Sequence, residues 1–377
     1  MKALVSRSYG SPDHLDLTAV DTPVPAAGEV LVRVRATSVN PYDWHHMRGE
    51  PRIARMMPGT LGLRAPKLSI LGCDMAGQVE AVGPDVTEFG PGDDVFALLE
   101  QGGGCAEYVS VPERLLARKP GNLSYEQAAA VPMAATTALL GLRDAGRIQP
   151  GQKVLVNGAS GGVGSFAVQI ARALGARADA VCSSPHAELV RSIGADNVID
   201  YAREDFTRSG RRYDVLLDIA GGRPVFACRR VLTPRGTLVL IGGPAGRWLQ
   251  PAGHVFAALA MAPLVSPRIA LADTVSCPAK KQILITLTTL IEDGTITPVI
   301  SRTYPFNDVR KAIRYQERGH VPGKVVVTVC DGGERAGRWF QGQVSSPLRS
   351  RLSGGDSYDV DAAFMQLLRH ERGIHAL

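Results

Sequence analysis

One short stretch, from Val154 to Gly164, restricts the fold more than any other part of the sequence. Apolar residues are followed by a glycine-rich turn that includes Gly158, Gly161 and Gly162, and then by an amphipathic segment. This order predicts a buried strand that turns sharply into a helix, in which glycine lets the backbone approach other groups closely. The free N–H groups and the dipole at the start of such a helix favour an anion. The turn is therefore a candidate phosphate site, although a glycine-rich turn can also serve packing alone.

The residues around this turn alternate between short apolar strands and helices. Alternation of this kind predicts an α/β fold with a doubly wound parallel sheet of the Rossmann type, which makes the phosphate ligand a dinucleotide. The turn departs from the usual GxGxxG spacing in one respect, since Ala159 stands at the first glycine position. The predicted strands are Lys153–Asn157, Ala178–Ser183, Val198–Ile199, Tyr213–Asp218 and Thr237–Ile241, and the predicted helices are Val163–Leu174 and Ala187–Ile193.

The chain has 377 residues, which is more than a single hydrophobic core usually serves, and its remaining parts predict a second domain. Short Val-rich segments punctuated by Gly and Pro up to Tyr108 predict a partly open β-barrel. Helical sequence begins at a Ser124 cap and runs to Arg147. The β-barrel domain is predicted to comprise residues 1–125 and to be completed by about 298–330, and the dinucleotide-binding domain to comprise 126–297. Residues 331–377 are predicted to form a disordered tail with one short helix at Ala362–Arg369. After a predicted helix at Lys280–Glu292, the returning part is predicted to contain strand Val299–Tyr304, helix Asn307–Glu317 and strand Lys324–Val329.

Composition argues against several classes of protein. The net charge of +6 comes from scattered arginines rather than from runs, so no nucleic-acid partner is expected. Six cysteines lie far apart without a CxxC pair, which favours reduced thiols in the cytoplasm. No secretion signal is visible, and the longest apolar run, Val255–Val265, is too short to span a membrane. We therefore expect a cytoplasmic protein without a membrane partner.

The end of the second predicted strand bears on which dinucleotide binds. An Asp or Glu there would accept hydrogen bonds from the ribose hydroxyls of NAD. This chain has Ser183 and Ser184 instead. Hydroxyl groups do not repel a 2′-phosphate and can donate to it, so NADP(H) is the favoured cofactor. The alternative is that the two serines make a turn and cap the next helix.

Several motifs together resemble one family over about residues 1–330. The sequence is similar to the medium-chain dehydrogenase/reductase superfamily, and within it to the zinc-free quinone oxidoreductase branch. Zinc-dependent members place a Cys ligand where this chain has Asn40, and a His-Glu pair where it has Cys73-Asp74, so no metal is expected. Besides the glycine-rich turn, the motifs that carry the resemblance are Ser38–Asp43, Gly72–Gly77, Phe89–Val95, Ala106–Val109, Ala135–Ala138, Gly194–Asp196, Asp200-Tyr201 and Gly323–Val326.

The resemblance implies a GroES-like β-barrel domain, a Rossmann domain, a cleft between them and a homodimer formed through the Rossmann sheet edge. It puts Asn40 and Asp43 beside the nicotinamide, with Tyr42 and His45, or the neighbouring His46, as possible proton donors. Another interpretation is that Asn40-Pro41 begins a turn and Asp43 caps a helical turn. The predicted cofactor-binding residues are Thr136, Ser160, Gly161, Gly162, Val163, Gly164, Ser183, Ser184, Tyr201 and Lys324, for the last of which a solvated side chain is the default alternative.

The function implied is zinc-independent reduction of quinones or α,β-unsaturated carbonyls by hydride transfer from NADPH. Without a metal, the acceptor itself has to delocalise the charge that hydride transfer creates. A first alternative is an enoyl-thioester or specialised ketone or alcohol oxidoreductase, favoured by the long segment Arg48–Ser69. A second is a non-catalytic protein that binds NADPH or RNA, for which the arginines of the tail are the one candidate surface.

Overall fold

The computed structural model describes residues 1–56, 61–67, 69–242 and 267–329, and within them the chain forms fifteen strands and eight α-helices. The strands are β1 Lys2–Ser6, β2 Leu15–Ala19, β3 Glu29–Val39, β4 Asp74–Val82, β5 Asp94–Leu98, β6 Tyr108–Pro112, β7 Leu116–Arg118, β8 Lys153–Asn157, β9 Arg177–Cys182, β10 Asn197–Asp200, β11 Tyr213–Asp218, β12 Leu232–Leu240, β13 Arg268–Leu271, β14 Ile300–Pro305 and β15 Lys324–Thr328. The helices are α1 Pro41–Arg48, α2 Tyr125–Ala129, α3 Pro132–Leu139, α4 Gly162–Ala173, α5 Ala187–Ser192, α6 Val225–Cys228, α7 Lys280–Glu292 and α8 Val309–Glu317.

The second half of the chain builds a parallel sheet with the strand order β10-β9-β8-β11-β12-β13. Val154, Leu155 and Val156 of β8 are completely buried in its centre. Such burial is expected of a parallel strand, because helices cover both faces of the sheet. The order reverses direction on either side of β8, as in a doubly wound fold. The predicted α/β fold with a Rossmann-type sheet is confirmed.

Several predicted element bounds agree closely with the structure, but strand β13 of this sheet was not predicted, and the start of β12 differs. Strands β8 and β11 and helix α7 have the predicted ends. Strand β12 begins at Leu232, five residues before its predicted start at Thr237. The pairing with β11 shifts register between Leu232 and Thr237, where Pro234 and Gly236 interrupt the apolar pattern. The irregular start explains why the sequence indicated a loop there.

The other large sheet has seven strands, ordered β14-β15-β3-β4-β5-β7, with β6 paired to β3 on the same side as β15. Its pairs are antiparallel apart from β14 with β15. The eleven-residue strand β3 pairs with β6 over its first half and with β15 over its second. The open path of strands fits the GroES-like unit expected from the resemblance. Because β3 ends at Val39, the sheet delivers Asn40 to its rim beside β15.

The chain crosses back from the parallel sheet to the other sheet after α7, and β15 makes the closest link between the two. Gly323 forms an isolated parallel bridge with Gly161, and its N–H donates to the Ser160 carbonyl at 2.7 Å. All described residues fall in one compact unit. The predicted boundaries at 125, 298 and 330 stay predictions.

Some expectations fall outside the described residues. They are the apolar run Val255–Val265, with the dimer interface expected near it, and the tail with its short helix at Ala362–Arg369. Among the described residues, no helix combines the length and the apolar character that crossing a bilayer requires.

Candidate active site

The glycine-rich turn adopts the tight geometry predicted for it. Gly158 follows β8 with φ of +91°, a left-handed conformation that glycine tolerates. A Cβ on Gly164 would lie 2.2 Å from the Gly158 carbonyl oxygen, so this glycine is needed for the turn to close against the helix. A Cβ on Gly161 would meet one atom, at an ordinary 3.5 Å. Gly164 is therefore required by the protein's own packing, while the backbone at Gly161 is open to a ligand.

Helix α4 begins directly after this turn, at Gly162, and has no side-chain cap at Gly161. The first N–H groups of an α-helix have no partner within the helix. In twelve-residue α4 they face the turn, where a phosphate is the natural acceptor. The glycine-rich turn and the start of α4, which together we call the phosphate cradle, thus fit the pyrophosphate of a dinucleotide.

Thr136 in α3 supplies a second indication of ligand binding. Its side chain is completely buried, yet its hydroxyl has no hydrogen-bond partner among the described residues. A buried hydroxyl without a partner is unfavourable by about 1–3 kcal/mol, so such groups are rare unless a ligand satisfies them. The neighbouring Thr137 is satisfied, since its hydroxyl donates to the Met133 carbonyl at 2.7 Å. The predicted contact of Thr136 with the nicotinamide fits this position.

The segment that begins at Asn40 forms helix α1, and Asp43 holds its start. The Asp43 carboxylate accepts from the N–H of Asn40 at 2.8 Å and from the N–H of Gly72 at 3.0 Å. The alternative interpretation, in which Asp43 caps a helical turn, therefore describes its geometry. Burial raises the pKa of Asp43 to about 6, despite the two backbone donors that lower it. Asp43 acts on the site by fixing the entry of α1 and the loop at Gly72.

The two histidines of α1 are placed poorly for donating a proton at neutral pH. Nδ1 of His45 lies 2.9 Å from the Glu50 carbonyl oxygen, and Nδ1 of His46 lies 2.9 Å from that of Tyr42. Because a carbonyl accepts only, Nδ1 carries the proton in each ring, and Nε2 of the neutral ring is an acceptor. Burial lowers the pKa of His45 to about 4 and that of His46 in the same direction. Burial also raises the pKa of Tyr42 to about 12, which makes it a weak acid.

A buried polar cluster lies where β3, β4 and β15 meet. We call Asn40, Asp74 and Lys324 the cleft triad. The Lys324 ammonium donates to Asn40 Oδ1 and, at 3.1 Å, to Asp74 Oδ2, and Asn40 Nδ2 donates to the same Asp74 oxygen at 2.9 Å. The triad side chains are all nearly inaccessible, with Lys324 4% exposed. The default expectation of a solvated Lys324 was wrong, because the ammonium has two anionic or polar partners inside the fold.

Both oxygens of Asp74 are further committed to the protein. Oδ2 accepts from the Ser38 hydroxyl at 2.5 Å, and Oδ1 accepts from the N–H of Met133, at the start of α3, at 2.7 Å. Cys73 lies beside the triad, 3.3 Å from Asn40 Nδ2, and burial raises the pKa of its thiol well above the usual value. A neutral thiol next to an ammonium is a poor metal ligand. Among the described residues no group of three or more His, Cys, Asp or Glu side chains is arranged to hold a metal ion.

The predicted 2′-phosphate side of the cofactor site is more complex than the sequence indicated. Ser183 and Ser184 do follow β9, but the Ser184 hydroxyl donates to the Asp200 carboxylate of the neighbouring strand. That hydrogen bond holds the pKa of Asp200 below its usual value, and Arg203 pairs with the same carboxylate at 3.5 Å. Tyr201 is 44% exposed beside it. Sequence reasoning missed Asp200, which the register of β10 on β9 brings opposite Cys182.

The site thus consists of a dinucleotide-type turn on one sheet, linked through Gly323 and Lys324 to a polar cluster on the other. A Cβ at Gly162 would come within 2.9 Å of Lys324 Cδ. The glycine-rich turn and the cleft triad therefore meet where the two sheets contact each other, and we call this contact the seam. A doubly wound sheet joined in this way to a GroES-like sheet is the architecture of the medium-chain dehydrogenase/reductases.

Comparisons with known proteins agree. Residues 26–121 match the alcohol dehydrogenase GroES-like domain family, and residues 193–327 match the zinc-binding dehydrogenase family. The chloroplast envelope quinone oxidoreductase homolog of Arabidopsis thaliana is 32% identical, covering 87% of this chain and 98% of the relative. The NADPH-dependent alkenal/one oxidoreductase of the same plant is 32% identical over 87% of this chain and 79% of its own length. The crystal structure of CurK enoyl reductase superimposes with a TM-score of 0.74 and 28% identity, covering 87% and 98% of the two chains.

These matches extend over both sheets and nearly the whole length of the quinone oxidoreductase relative. The chain therefore belongs to the quinone oxidoreductase branch of the medium-chain dehydrogenase/reductase superfamily. It is an NAD(P)H oxidoreductase by family.

The structure brings together Asn40, Asp43 and Lys324, with the turn residues Ser160 and Gly161 at the same seam through Gly323. Ser183, Ser184 and Tyr201 lie at the far ends of β9 and β10. Asp74, like Asp200, is a site residue that sequence reasoning left out, although its place in the position of a zinc-ligand pair was noted. The roles of the individual residues stay predictions.

Proposed function

We propose that this protein transfers a hydride from NADPH to quinones or α,β-unsaturated carbonyl compounds without a metal ion. The observation that carries the proposal is the cleft triad, in which an ammonium group bonded to Asn40 and Asp74 stands where zinc-dependent relatives hold their metal ligands. A bound metal would have to displace this ammonium. Relatives named as a quinone oxidoreductase and an NADPH-dependent alkenal/one oxidoreductase support the same acceptors.

The nicotinamide cofactor, when bound, supplies the hydride. In this chain the turn from Gly158 to Gly164 and the start of α4 would hold its pyrophosphate, and the Thr136 hydroxyl would hold the nicotinamide end. Asp43 fixes the entry to α1, so Asn40 stays oriented toward Lys324 and Asp74. An acceptor conjugated to its carbonyl, or a quinone, spreads the incoming charge and needs no Lewis acid.

NADP(H) is proposed over NAD(H) because no carboxylate ends β9, where Ser183 and Ser184 stand. The Asp200 carboxylate beside Ser184 works against this preference, since it brings a negative charge toward the 2′-phosphate. We therefore expect a moderate preference for NADPH rather than exclusion of NADH. We also propose a homodimer in the cytoplasm, which sedimentation and cell fractionation test.

The direct test is a steady-state assay of NADPH and NADH oxidation with a quinone, an enone and an acyl thioester, run with and without a chelator. The proposal requires turnover of the quinone or the enone that the chelator leaves unchanged and that is faster with NADPH. Preference for the thioester would favour the enoyl-thioester alternative, for which the CurK enoyl reductase fold is the supporting observation. Tight NADPH binding without turnover of any acceptor would favour a binding protein.

A further inference from the structure

The hydrogen-bonding capacity of the cleft triad is almost fully used within the protein. Both oxygens of Asp74 accept protein donors, and Asn40 donates through Nδ2 to Asp74 and to the Ser38 carbonyl at 3.3 Å. Asn40 Oδ1 accepts from Lys324. Asn40 therefore has no N–H to spare for a ligand, and the Asp74 carboxylate, which only accepts, is occupied by protein donors.

Lys324 differs from its two partners. An ammonium group has three N–H donors, and the described part of the chain supplies acceptors for two of them, Asn40 Oδ1 and Asp74 Oδ2. The side chain is 4% exposed, so bulk water does not readily take up the third. A buried donor of this strength without a partner is unfavourable, which indicates that a ligand is its intended acceptor.

A comparison with Lys280 shows that this arrangement is not simply how the fold buries a lysine. Lys280 is equally inaccessible and also pairs with a carboxylate, Glu100, at 3.0 Å. Its remaining two donors reach the carbonyls of Val275 at 2.8 Å and Cys277 at 3.0 Å. The Lys280 ammonium is thus completely satisfied by protein groups, whereas Lys324 keeps one donor.

The position of Lys324 decides which ligand it meets. Its backbone follows Gly323, which bridges to Gly161 in the phosphate turn, and its Cδ lies against Gly162. Its ammonium lies on the other side of the seam with Asn40, at the rim of the GroES-like sheet. The ammonium therefore lies away from the glycine-rich turn, beside Asn40, the residue that the family resemblance puts next to the nicotinamide.

The other polar groups on this side are weaker candidates for stabilising a negative charge. His45 and His46 present an unprotonated Nε2, which accepts but does not donate. Tyr42 has a neutral hydroxyl, and a hydrogen bond from a charged donor is roughly twice as strong as one from a neutral donor. Lys324 is the one positively charged residue of the cleft triad.

We propose that Lys324 is the catalytic electrophile of this cleft, donating its third N–H to the acceptor oxygen that becomes negative during reduction. This inference rests on the proposed function. When the hydride released by oxidation of NADPH to NADP⁺ reaches the acceptor carbon, a C–H bond of the donor breaks, a C–H bond of the acceptor forms, and the electron pair of the acceptor's broken π bond moves through the conjugated system to oxygen. The ammonium stabilises that oxyanion, and a proton from solvent completes the product. Acceptors therefore need an oxygen conjugated to the carbon that takes the hydride.

The test compares Lys324→Met with two controls. Lys324→Met alone leaves Asp74 buried without a cation, so Asp74→Asn combined with Lys324→Met restores neutrality while still lacking the ammonium. Lys280→Met removes the other buried ammonium, which makes no contact with the triad. Folding of each variant is checked by thermal denaturation. The measurements are kcat/KM with a quinone and an enone, the Kd of NADPH from fluorescence, and the ionisation state of bound 4-nitrophenol from its absorbance.

Removing one preorganised donor to an oxyanion typically lowers the rate by about 100-fold or more, and we expect this loss in both Lys324 variants. The Kd of NADPH should change by less than about threefold, which corresponds to under about 0.7 kcal/mol. Wild-type protein with NADP⁺ should bind 4-nitrophenol as the phenolate, and both Lys324 variants should not. Lys280→Met should lower thermal stability and leave kcat/KM nearly unchanged.

Three results would overturn the inference. Recovery of activity in the double variant would show that unpaired Asp74 caused the loss. A large rise in the Kd of NADPH with kcat retained would make Lys324 a cofactor ligand only. Absence of Lys324-dependent phenolate binding would remove the oxyanion role. If wild type reduces none of the acceptors, the proposed function fails, and phenolate binding still decides the role of Lys324.

Discussion

Thr136 and Thr137 are adjacent in α3 and both buried, yet among the described residues only Thr137 has a hydrogen-bond partner. We predict that Thr136→Val leaves thermal stability unchanged or slightly higher, because the variant removes a hydroxyl that no described residue satisfies. The same change should weaken NADPH binding. Differential scanning fluorimetry and a fluorescence titration measure the two effects.

Thr137→Val is the matched control. The Thr137 hydroxyl contacts the Met133 carbonyl and, at 2.9 Å, the Thr274 hydroxyl. Its loss should lower stability by about 1 kcal/mol and leave cofactor affinity nearly intact. If Thr136→Val destabilises the protein as much as Thr137→Val without changing the Kd of NADPH, the assignment of Thr136 to the cofactor is wrong.

Asp43 gives a prediction about pH. Burial raises its pKa from 3.8 to about 6, so between these values the folded protein binds a proton that the unfolded chain has released. Stability attributable to Asp43 therefore falls as pH rises through this window, by about 3 kcal/mol for a shift of roughly two units. Above pH 6 the carboxylate is ionised and the unfavourable contribution is complete.

The measurement is urea denaturation of wild type and Asp43→Asn at pH 4.5 and pH 7. Other carboxylates titrate in both proteins and cancel in the difference. We expect the stability of wild type relative to Asp43→Asn to be lower at pH 7 than at pH 4.5. A relative stability that is constant, or that increases with pH, contradicts a raised pKa for Asp43.

Among whole elements, the glycine-rich turn and α4 allow packing to be separated from ligand binding. Gly164→Ala puts a Cβ 2.2 Å from the Gly158 oxygen and should destabilise the protein by about 1–3 kcal/mol. Gly161→Ala meets one atom at 3.5 Å, at an ordinary φ of −75°, and should leave the melting temperature nearly unchanged. It should nevertheless weaken NADPH binding, because its methyl group occupies the space where the pyrophosphate approaches.

Parallel melting curves and NADPH titrations of the two variants check this prediction. Gly90→Ala serves as a neutral control, since a Cβ there meets no atom of the described residues within 4 Å. Unchanged NADPH affinity in Gly161→Ala would mean that the turn serves packing alone, which is the alternative left open by the sequence.

Local patterns made some elements predictable. Strands β8 and β11 each contain three consecutive apolar residues flanked by polar ones, and helix α7 is long and periodic, so short-range sequence predicts these elements. The start of β12 was missed because its Pro234 and Gly236 are typical of loops, while its pairing with β11 depends on a register shift. The helical sequence predicted to reach Arg147 instead continues from α3 as a wider, π-type segment, Leu140–Ala145.

The candidate site likewise has one part that local sequence predicts and one part that it does not. The turn and its glycines are contiguous in sequence, and their geometry could be predicted. The contact of Lys324 with Asp74 joins positions 250 apart, and that of Ser184 with Asp200 depends on how β10 aligns with β9. No local pattern carries such information. The families' shared motifs pointed to Asn40 and Asp43, but the exhausted hydrogen bonding of Asn40 appears only in three dimensions.

We predict that the Asp200 carboxylate influences the preference between NADPH and NADH. Asp200→Asn removes the negative charge beside Ser184 and should raise kcat/KM for NADPH relative to NADH several-fold, because a 2′-phosphate is no longer repelled. Steady-state kinetics with both cofactors measure the ratio, at low ionic strength where screening is weak. A ratio that does not change would put the 2′-phosphate away from this corner of the sheet.

At the scale of the whole molecule, several contacts join the two sheets. Besides the bridge from Gly161 to Gly323, Lys280 of α7 pairs with Glu100 after β5, and Asn122 donates to the Ile291 carbonyl at 2.8 Å. Elements with this many mutual contacts are expected to unfold together rather than one after the other. We therefore predict a single calorimetric transition, with equal calorimetric and van't Hoff enthalpies.

NADPH should move that single transition as a unit. At 100 times the Kd, binding to the folded state alone stabilises by about 2.7 kcal/mol, and a ligand that spans the seam stabilises both sheets at once. Lys280→Met should loosen the seam away from the cleft and lower the transition temperature in the presence and absence of NADPH alike. If NADPH instead splits the scan, raising one transition and leaving a second in place, the two sheets unfold independently and the cofactor contacts only the parallel sheet.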